Sequence, residues 1–236
     1  MRTGADAGGL VTLVAVIPDL LERLRAAVDP LSGARADGAL PAADPASDES
    51  TSASADSAST SDASTSADRR TRKGAAVLLL ADPATAGLPL LFMRRTRLVR
   101  SHRGQIAFPG GGVEPSDGGP AATALREAKE ELGVPPDQVE VLGLLRPVTT
   151  ATSERHLVPV VALQRAPIQP VPDGFEVADW FRVPITELLT APLTARRVPG
   201  GGRDGFVRFY EVGGRVIWGA TAAILHDLLT RLGRTD

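Results

Sequence analysis

A chain of 236 residues that is 43% hydrophobic and 23% charged has the composition of a globular protein with one core and additional segments. Its net charge of −2 excludes the basic excess typical of general nucleic-acid-binding proteins. The absence of cysteine excludes a disulfide framework, a thiolate nucleophile and a Cys-based zinc site, and it agrees with a reducing compartment. The apolar run at residues 10–17 is far shorter than the ~20 residues that cross a bilayer. We therefore expect a cytoplasmic protein with neither a nucleic acid nor a membrane as partner.

The first 71 residues divide into two segments. In residues 1–30, Leu20, Leu21, Leu24 and Val28 recur at helical spacing, which predicts a short amphipathic helix that packs on the main domain or on a second subunit, as in a homodimer. Residues 31–71 are rich in Ser, Ala and Asp and have too few apolar side chains to offset the entropy of ordering, so we predict a disordered linker. The linker is acidic, which leaves the rest of the chain mildly basic. This charge either favours an anionic ligand or only reflects a soluble linker.

Strand patterns dominate the remainder, which we take as one domain over residues 72–236. Apolar, β-branched runs predict strands at 75–81, 88–95, 139–148 and 156–164. Residues 206–212 and 215–219 read as a hairpin, since Gly213-Gly214 between them permits the positive φ angles of a tight turn. Helices are predicted at 120–132 and 220–232. Strands interleaved with few helices indicate an α/β or α+β sandwich with a mixed sheet.

The helix at 120–132 carries an unusual group of carboxylates. Pro120 suits its first position and Gly133 its end. At about 100° per residue, its Ala and Leu residues share one face, and Glu127, Glu130 and Glu131 lie nearly opposite. Such crowding of like charges destabilises a helix unless a cation compensates. The cation is either a hard divalent ion such as Mg²⁺ or the basic side chains of the helix itself, as on an ordinary solvated face.

A glycine-rich loop precedes this helix and favours a ligand site. Gly104 and the run Phe108-Pro109-Gly110-Gly111-Gly112 give backbone that can approach a ligand closely. The loop, the acidic helix and the terminal Gly-Val together resemble the Nudix hydrolases, whose pattern is G-x5-E-x7-R-E-U-x-E-E-x-G-U with U a bulky apolar residue. The matching positions are Gly112, Arg126, Glu127, Glu130, Glu131, Gly133 and Val134, with Ala128 as a small U. The early Glu is replaced by Gly118, although Asp117 lies one residue before it.

Upstream residues resemble one subgroup of that family, the coenzyme A diphosphatases, whose added pattern is approximately R-[SA]-x3-R-x3-G-x3-F-P-G-G. The chain matches it at Arg95, Arg100, Gly104, Phe108, Pro109, Gly110 and Gly111 and departs from it only at Thr96. In that subgroup the acid before the helix also tends to sit one place early, as Asp117 does. The resemblance covers residues 72–232 and implies an α/β/α sandwich.

The resemblance implies a metal-dependent diphosphohydrolase. Mg²⁺ or Mn²⁺ is expected on Glu127 and Glu131, with Glu130 as a third ligand or as the general base, and Arg126 orients a helix carboxylate or bonds the loop. Glu154 and Glu176 are loop carboxylates that are alternatives for the base. Arginine and histidine suit a substrate with several phosphates, so we expect substrate binding by Arg95, Arg100, His102, Arg103, Gln105, Gly110 and Gly111. His102 has no partner pattern for zinc.

The expected reaction is hydrolysis of coenzyme A or acyl-coenzyme A to 3′,5′-ADP and 4′-phosphopantetheine or its acyl form. The alternatives are a Nudix hydrolase of ADP-ribose, NADH or an oxidised nucleotide, and a non-catalytic Nudix module that only binds a ligand. The complete set Glu127, Glu130 and Glu131 argues against the non-catalytic alternative, because a binding module has no evident need for three repelling carboxylates.

Overall fold

The computed structural model describes residues 19–31, 74–97, 103–149, 155–197 and 205–235. Apart from Leu31, the predicted linker lies outside these ranges. Arg100, His102 and Glu154, which the sequence marked as candidate site residues, also lie outside them. The domain boundaries proposed from the sequence stay predictions.

Strand β1, Gly74–Ala81, lies at the centre of the sheet and is buried on both faces. Its side chains alternate as the pleat requires. Val77, Leu79 and Ala81 enter one hydrophobic core, whereas Ala76, Leu78 and Leu80 enter another. A strand that is apolar at every position needs cover on both sides, so the fold has three layers.

Within the part of the chain that the structure describes, the main sheet contains both parallel and antiparallel strand pairs. Its further strands are β2 (Pro89–Arg95), β3 (Ile106–Ala107), β4 (Gly110–Gly112), β5 (Val139–Leu144), β6 (Val148–Thr149), β7 (His156–Gln164) and β8 (Val177–Pro184). Strand β1 pairs in parallel with β7 from Gly74↔His156 to Ala81↔Leu163, and its other pairings are antiparallel. The strand order is β3-β2-β1-β7-β5, with β4 on β1, β6 on β7 and β8 on β2.

Helices cover the two faces of this sheet. Helix α2, Pro120–Leu132, buries Ala124, Ala128 and Leu132 against one face. The opposite face is covered by the helical residues 19–26, which we call α1, and by α4, Gly219–Arg231. The short helix α3, Ile185–Thr190, follows β8 and joins the same core as α4. The predicted α/β/α sandwich with a mixed sheet and a short N-terminal helix is confirmed.

Helix α1 docks on the main domain, which is one of the two positions that the sequence left open. Leu20, Leu24 and Ala27 are buried in the same core as the apolar residues of α4. The Arg231 guanidinium donates to the Ala27 carbonyl at 2.8 Å, and backbone bonds of 2.9 Å join Asp29 to Leu144 at the edge of the sheet.

A second, three-stranded sheet contains β9 (Leu193–Arg197), β10 (Phe206–Val212) and β11 (Arg215–Trp218). The predicted hairpin is confirmed, with Val212 paired to Arg215. Its turn residues Gly213 and Gly214 have φ angles of 53° and 70°, which a two-residue turn of this type needs.

The sequence misplaced some strands. The run 139–148 is two strands, because residues 145–147 end in a proline that cannot donate to a ladder. Strand β2 begins at Pro89 rather than at Leu88, whose φ is 54°. Strands β3, β4, β8 and β9 and helix α3 were not predicted.

Candidate active site

The glycine loop is held against the centre of the sheet. Its three residues Gly110–Gly112 form β4 and pair antiparallel with Ala75, Ala76 and Val77. A Cβ at Gly110, whose φ is 153°, would overlap the backbone of β1, so only glycine allows this approach. Phe108 anchors the loop from the other side by stacking on Phe92 at a centroid distance of 4.8 Å.

Helix α2 has well-defined ends that fix where its carboxylates lie. Pro120 occupies the first turn, and Gly133 adopts the left-handed conformation with a φ of 66°. The Gly133 and Val134 amides donate to the Lys129 and Ala128 carbonyls at 2.9 and 3.2 Å, which caps the carbonyl end of the helix. The predicted bounds of this helix are confirmed.

Glu131 is a buried carboxyl group that faces the loop. The Gly110 amide donates to its Oε2 at 2.8 Å, and the Arg95 guanidinium lies 3.7 Å from its Oε1. Burial raises the pKa of Glu131 to about 8, and the charges of Glu127 and Glu176 add to that rise. The Gly110 amide and Arg95 act in the opposite direction without cancelling it.

Glu127 lies one turn earlier on the same side of α2. Its carboxyl group packs so closely on Gly111 that a Cβ there would overlap it. Burial raises the pKa of Glu127, an effect that Arg126 opposes. The charges of Glu130 and Glu176 also raise it. Glu127 and Glu131 therefore share one face of the helix, against adjacent residues of β4.

Glu130 points elsewhere. Its side chain is 57% exposed and accepts a 3.1 Å bond from Arg126 Nη1. Within the described ranges, no three His, Cys, Asp or Glu side chains are gathered as ligands of one metal ion. Of the three carboxylates predicted as metal ligands, Glu127 and Glu131 lie at the glycine loop and Glu130 lies beside Arg126.

Arg126 connects the helix to the preceding loop. Its Nε and Nη2 each donate to Asp117 at 3.1 Å, and its Nη2 also donates to the Gly112 carbonyl at 2.8 Å. Asp117 further accepts bonds from the Thr123 hydroxyl and the Glu114 amide. The Arg126 bonds lower the pKa of Asp117 to about 2, and the same contacts raise the pKa of Arg126.

This arrangement explains the apparent gap at Gly118. The acid that pairs with Arg126 is Asp117, one residue earlier, and its side chain is only 5% exposed. A Cβ at Gly118 would meet no heavy atom within 4 Å, so position 118 is open. The contact to Arg126 is made by Asp117 and needs no side chain at position 118.

Arg95, at the end of β2, joins the carboxylates to a second loop. Its Nη2 lies 2.7 Å from Glu176 Oε2, in addition to the Glu131 contact. Gln105 directly precedes β3, the strand that pairs with β2, and its carbonyl accepts a hydrogen bond from the Arg95 amide at 3.0 Å. Arg103 is exposed at the start of that segment. The structure therefore brings Arg95, Gly110 and Gly111 to the helix carboxylates and places Glu176 beside them.

The loop that carries Glu176 depends on Asp173, which the sequence did not single out, and on Thr96, which it marked only as a departure from the subgroup pattern. Asp173 accepts bonds from the amides of Phe175, Glu176 and Val177. Thr96 donates from its hydroxyl to the Phe175 carbonyl at 2.7 Å. The departure at Thr96 from the pattern of the resembling subgroup thus supplies a loop contact that alanine lacks. The Asp-Gly pair at 173–174 was the available signal for a fixed turn.

The carboxylates fit a divalent cation. Burial is the largest cause of the raised pKa of both Glu127 and Glu131, and neighbouring carboxylates add to it. A bound cation would favour the ionised form of both groups. Mg²⁺ is commonly held by only one or two carboxylates, with substrate phosphates and water in the other positions. The two carboxyl groups supply oxygen donors of the kind that such an ion needs.

Residues 70–200 match the family described as NUDIX domain. The chain belongs to the Nudix family. A protein of Photorhabdus laumondii subsp. laumondii named "Uncharacterized Nudix hydrolase NudL" is 42% identical over 141 residues, which are 59% of this chain and 74% of that protein. A Citrobacter koseri protein of the same name is 40% identical over 167 residues, or 69% of this chain and 84% of that protein.

Among solved structures, the Mycobacterium smegmatis Nudix hydrolase RenU is 27% identical, with a TM-score of 0.40, over 49% of this chain and 73% of that one. Together, the family and its curated relatives identify the chain as a Nudix diphosphohydrolase. Nudix hydrolases generally use divalent metal ions. None of the helices in the described ranges is long and apolar enough to cross a membrane.

Proposed function

We propose that this Nudix hydrolase cleaves the diphosphate bond of coenzyme A or acyl-coenzyme A, giving 3′,5′-ADP and 4′-phosphopantetheine or its acyl form. The observation that supports the proposal is the Arg95–Glu131 contact. It joins the upstream pattern, in which the resemblance to coenzyme A diphosphatases lies, to the acidic helix common to the family. The absence of cysteine and the expected substrate agree with a cytoplasmic location.

Mg²⁺ or Mn²⁺ is the proposed cofactor, held by Glu127 and Glu131, with Glu130 as the third predicted ligand or the base. When bound, the ion supplies Lewis-acid polarisation of the diphosphate and lowers the pKa of a bound water. The protein fixes the donor atoms: the Gly110 amide orients the Glu131 carboxyl group, and contact with Gly111 positions that of Glu127.

Substrate binding is assigned to the cations and amides around the loop. Arg95 offers a planar guanidinium that can bond two phosphate oxygens, and its present partners Glu131 and Glu176 hold it at the site. The other residues of the predicted set lie in the sequence between β2 and the end of the glycine loop. They are Arg100, His102, Arg103, Gln105, Gly110 and Gly111. A substrate with a diphosphate and a further phosphate suits several such groups.

Arg126 positions catalytic groups in this proposal. It bonds Glu130 at 3.1 Å and Glu127 at 3.2 Å, so it orients one candidate base and one metal ligand. Glu130 is the proposed general base, since its carboxylate is accessible to solvent and is oriented by the bond from Arg126. Glu176 is the alternative base because it lies beside Arg95. Comparing Glu130→Gln with Glu176→Gln tests the choice: the base variant loses kcat by about 10²-fold or more.

The substrate is tested by incubating the full chain with Mg²⁺ or Mn²⁺ and coenzyme A, acetyl-coenzyme A, ADP-ribose, NADH or an oxidised nucleoside triphosphate. We expect 3′,5′-ADP from the coenzyme A compounds at the highest kcat/KM. Cleavage of ADP-ribose or NADH with coenzyme A left intact contradicts the proposed substrate. For the metal site, Glu131→Gln is expected to abolish turnover, whereas the matched change Glu187→Gln, on the exposed face of α3, leaves it unchanged.

A further inference from the structure

The loop 171–176 connects the acidic helix to strand β2. The Val171 and Asp173 amides donate to the Leu132 and Glu131 carbonyls at 2.9 and 3.1 Å. At its other end, the Thr96 amide donates to the Glu176 carbonyl at 2.8 Å, and Glu176 pairs with Arg95. The loop thus lies at the rim of the carboxylate site, attached on two sides to the elements that form it.

This rim carries the two most exposed of the large apolar side chains in the described ranges, Phe175 at 69% and Val171 at 67%. A phenylalanine that is exposed to this extent lacks most of the burial that stabilises such side chains. The backbone beneath the ring is nevertheless fixed, by Asp173 through three amides and by the Thr96 hydroxyl on the Phe175 carbonyl. An exposed aromatic ring on a hydrogen-bonded loop, one residue from the Glu176 that pairs with Arg95, has the features of a binding residue.

We propose that Phe175 stacks on the nucleobase of the nucleoside diphosphate substrate. The side chain would therefore bind the nucleotide half of the substrate and not the other half. The inference rests on the proposed function, since it takes the diphosphate to bind beside Arg95 and the carboxylates. A nucleobase is favoured over an acyl chain because a flat ring gives a stacking surface that an aliphatic side chain does not. Phe175 contributes to binding rather than to the chemical step.

Kinetics of substitutions at this position separate stacking from simple apolar contact. Phe175→Ala is expected to raise KM for coenzyme A about tenfold with kcat unchanged, and Phe175→Leu to do the same because it restores area but not the aromatic face. Phe175→Tyr retains the wild-type KM. A Leu variant with wild-type KM overturns the proposal. A rise in KM for acetyl-coenzyme A that is absent for coenzyme A also overturns it.

A binding experiment tests the proposal without relying on turnover. Phe175→Trp adds a fluorophore to the two native tryptophans, and ADP is expected to quench the added fluorescence saturably, whereas 4′-phosphopantetheine does not. Phe206→Trp, at another partly exposed phenylalanine on β10, is the matched control and shows no added quenching. Absence of quenching by ADP, or equal quenching by 4′-phosphopantetheine, overturns the inference. Quenching by ADP in a protein that does not cleave coenzyme A overturns the proposed function alone.

Discussion

At the scale of single residues, the Asp117–Arg126 pair is central to the site because one guanidinium serves the loop and the helix together. Asp117 is nearly buried and holds Arg126 through two bonds of 3.1 Å. Arg126 in turn contacts the Gly112 carbonyl and Glu130. Loss of the Asp117 charge therefore leaves a partly buried guanidinium without its main counter-ion, which is costlier than loss of an exposed ion pair.

We predict that Asp117→Asn lowers the free energy of unfolding by about 2 kcal/mol at pH 7, as the shift of the Asp117 pKa from 3.8 to about 2 implies through linkage. Because this pKa is depressed, the stabilisation is present above pH 4 and is lost as pH falls toward 2. Urea unfolding at pH 7 and pH 3 measures it. The matched variant Asp179→Asn breaks an exposed pair with Arg94 and is expected to change stability by less than about 0.5 kcal/mol. Equal effects of the two substitutions would contradict the prediction.

Adjacent glycines of β4 differ in what a side chain would meet. A Cβ at Gly111 would overlap the Glu127 carboxyl group, whereas one at Gly112 would meet only Arg155 Nη1, at 4.0 Å. We predict that Gly111→Ala lowers kcat/KM by about 10²-fold, because displacing a catalytic group by about 1 Å has effects of this size. Gly112→Ala retains activity within a few-fold. Steady-state kinetics with both purified variants test this, and comparable losses at the two positions would sink the explanation.

At the scale of elements, helix α1 is part of the main core although it precedes the family domain in sequence. Leu24 is fully buried in the core that the sheet and α4 share. We predict that Leu24→Ala costs about 3 kcal/mol of unfolding free energy through lost burial and a cavity, measured by urea denaturation. Glu22→Ala, at an exposed position of the same helix, is the control and is expected to be nearly neutral. A neutral Leu24→Ala would show that α1 is not docked in solution.

Elements that are specified by their own local sequence were predicted well. Elements that depend on pairing with a distant strand were not. Helix α2 has a proline at its start and a glycine at its end, and the β10–β11 turn has two glycines, so each is encoded within a few residues. Strand β8 lacks a clean alternation of burial and exists through pairing with β2, from Pro89↔Pro184 to Arg95↔Val177. Such a long-range pairing leaves no local signal.

The site follows the same division. Helical spacing was enough to place Glu127 and Glu131 on one face. The sequence could not show that Glu130 turns to Arg126, or that Glu176 reaches Arg95 from a loop 81 residues away. Both facts depend on how β2, α2 and the loop 171–176 pack together, and not on any spacing within one segment.

At the scale of the whole molecule, the site lies where helix α2 meets strand β4 on the central strand of the sheet, and burial there affects the stability of the entire fold. Glu131 keeps its proton to a higher pH in the folded chain than in the unfolded chain, because its pKa rises from 4.5 to about 8. Between these values the folded state binds more protons than the unfolded state. Its stability therefore falls as pH increases through this range. Glu127, whose pKa is also raised, acts in the same direction.

We predict that the metal-free protein has a Tm that decreases from pH 5 to pH 8, as measured by thermal unfolding in a chelator. Glu131→Gln is expected to flatten this dependence, because glutamine has no proton to lose, and Glu187→Gln is expected to keep it. Mg²⁺ should raise Tm more at pH 8 than at pH 5, since the ion binds the ionised carboxylates and only the folded state presents them together. A wild-type Tm that is constant or rises over this range would contradict a buried, protonated Glu131. A Mg²⁺ effect independent of pH would instead remove Glu131 from the metal site.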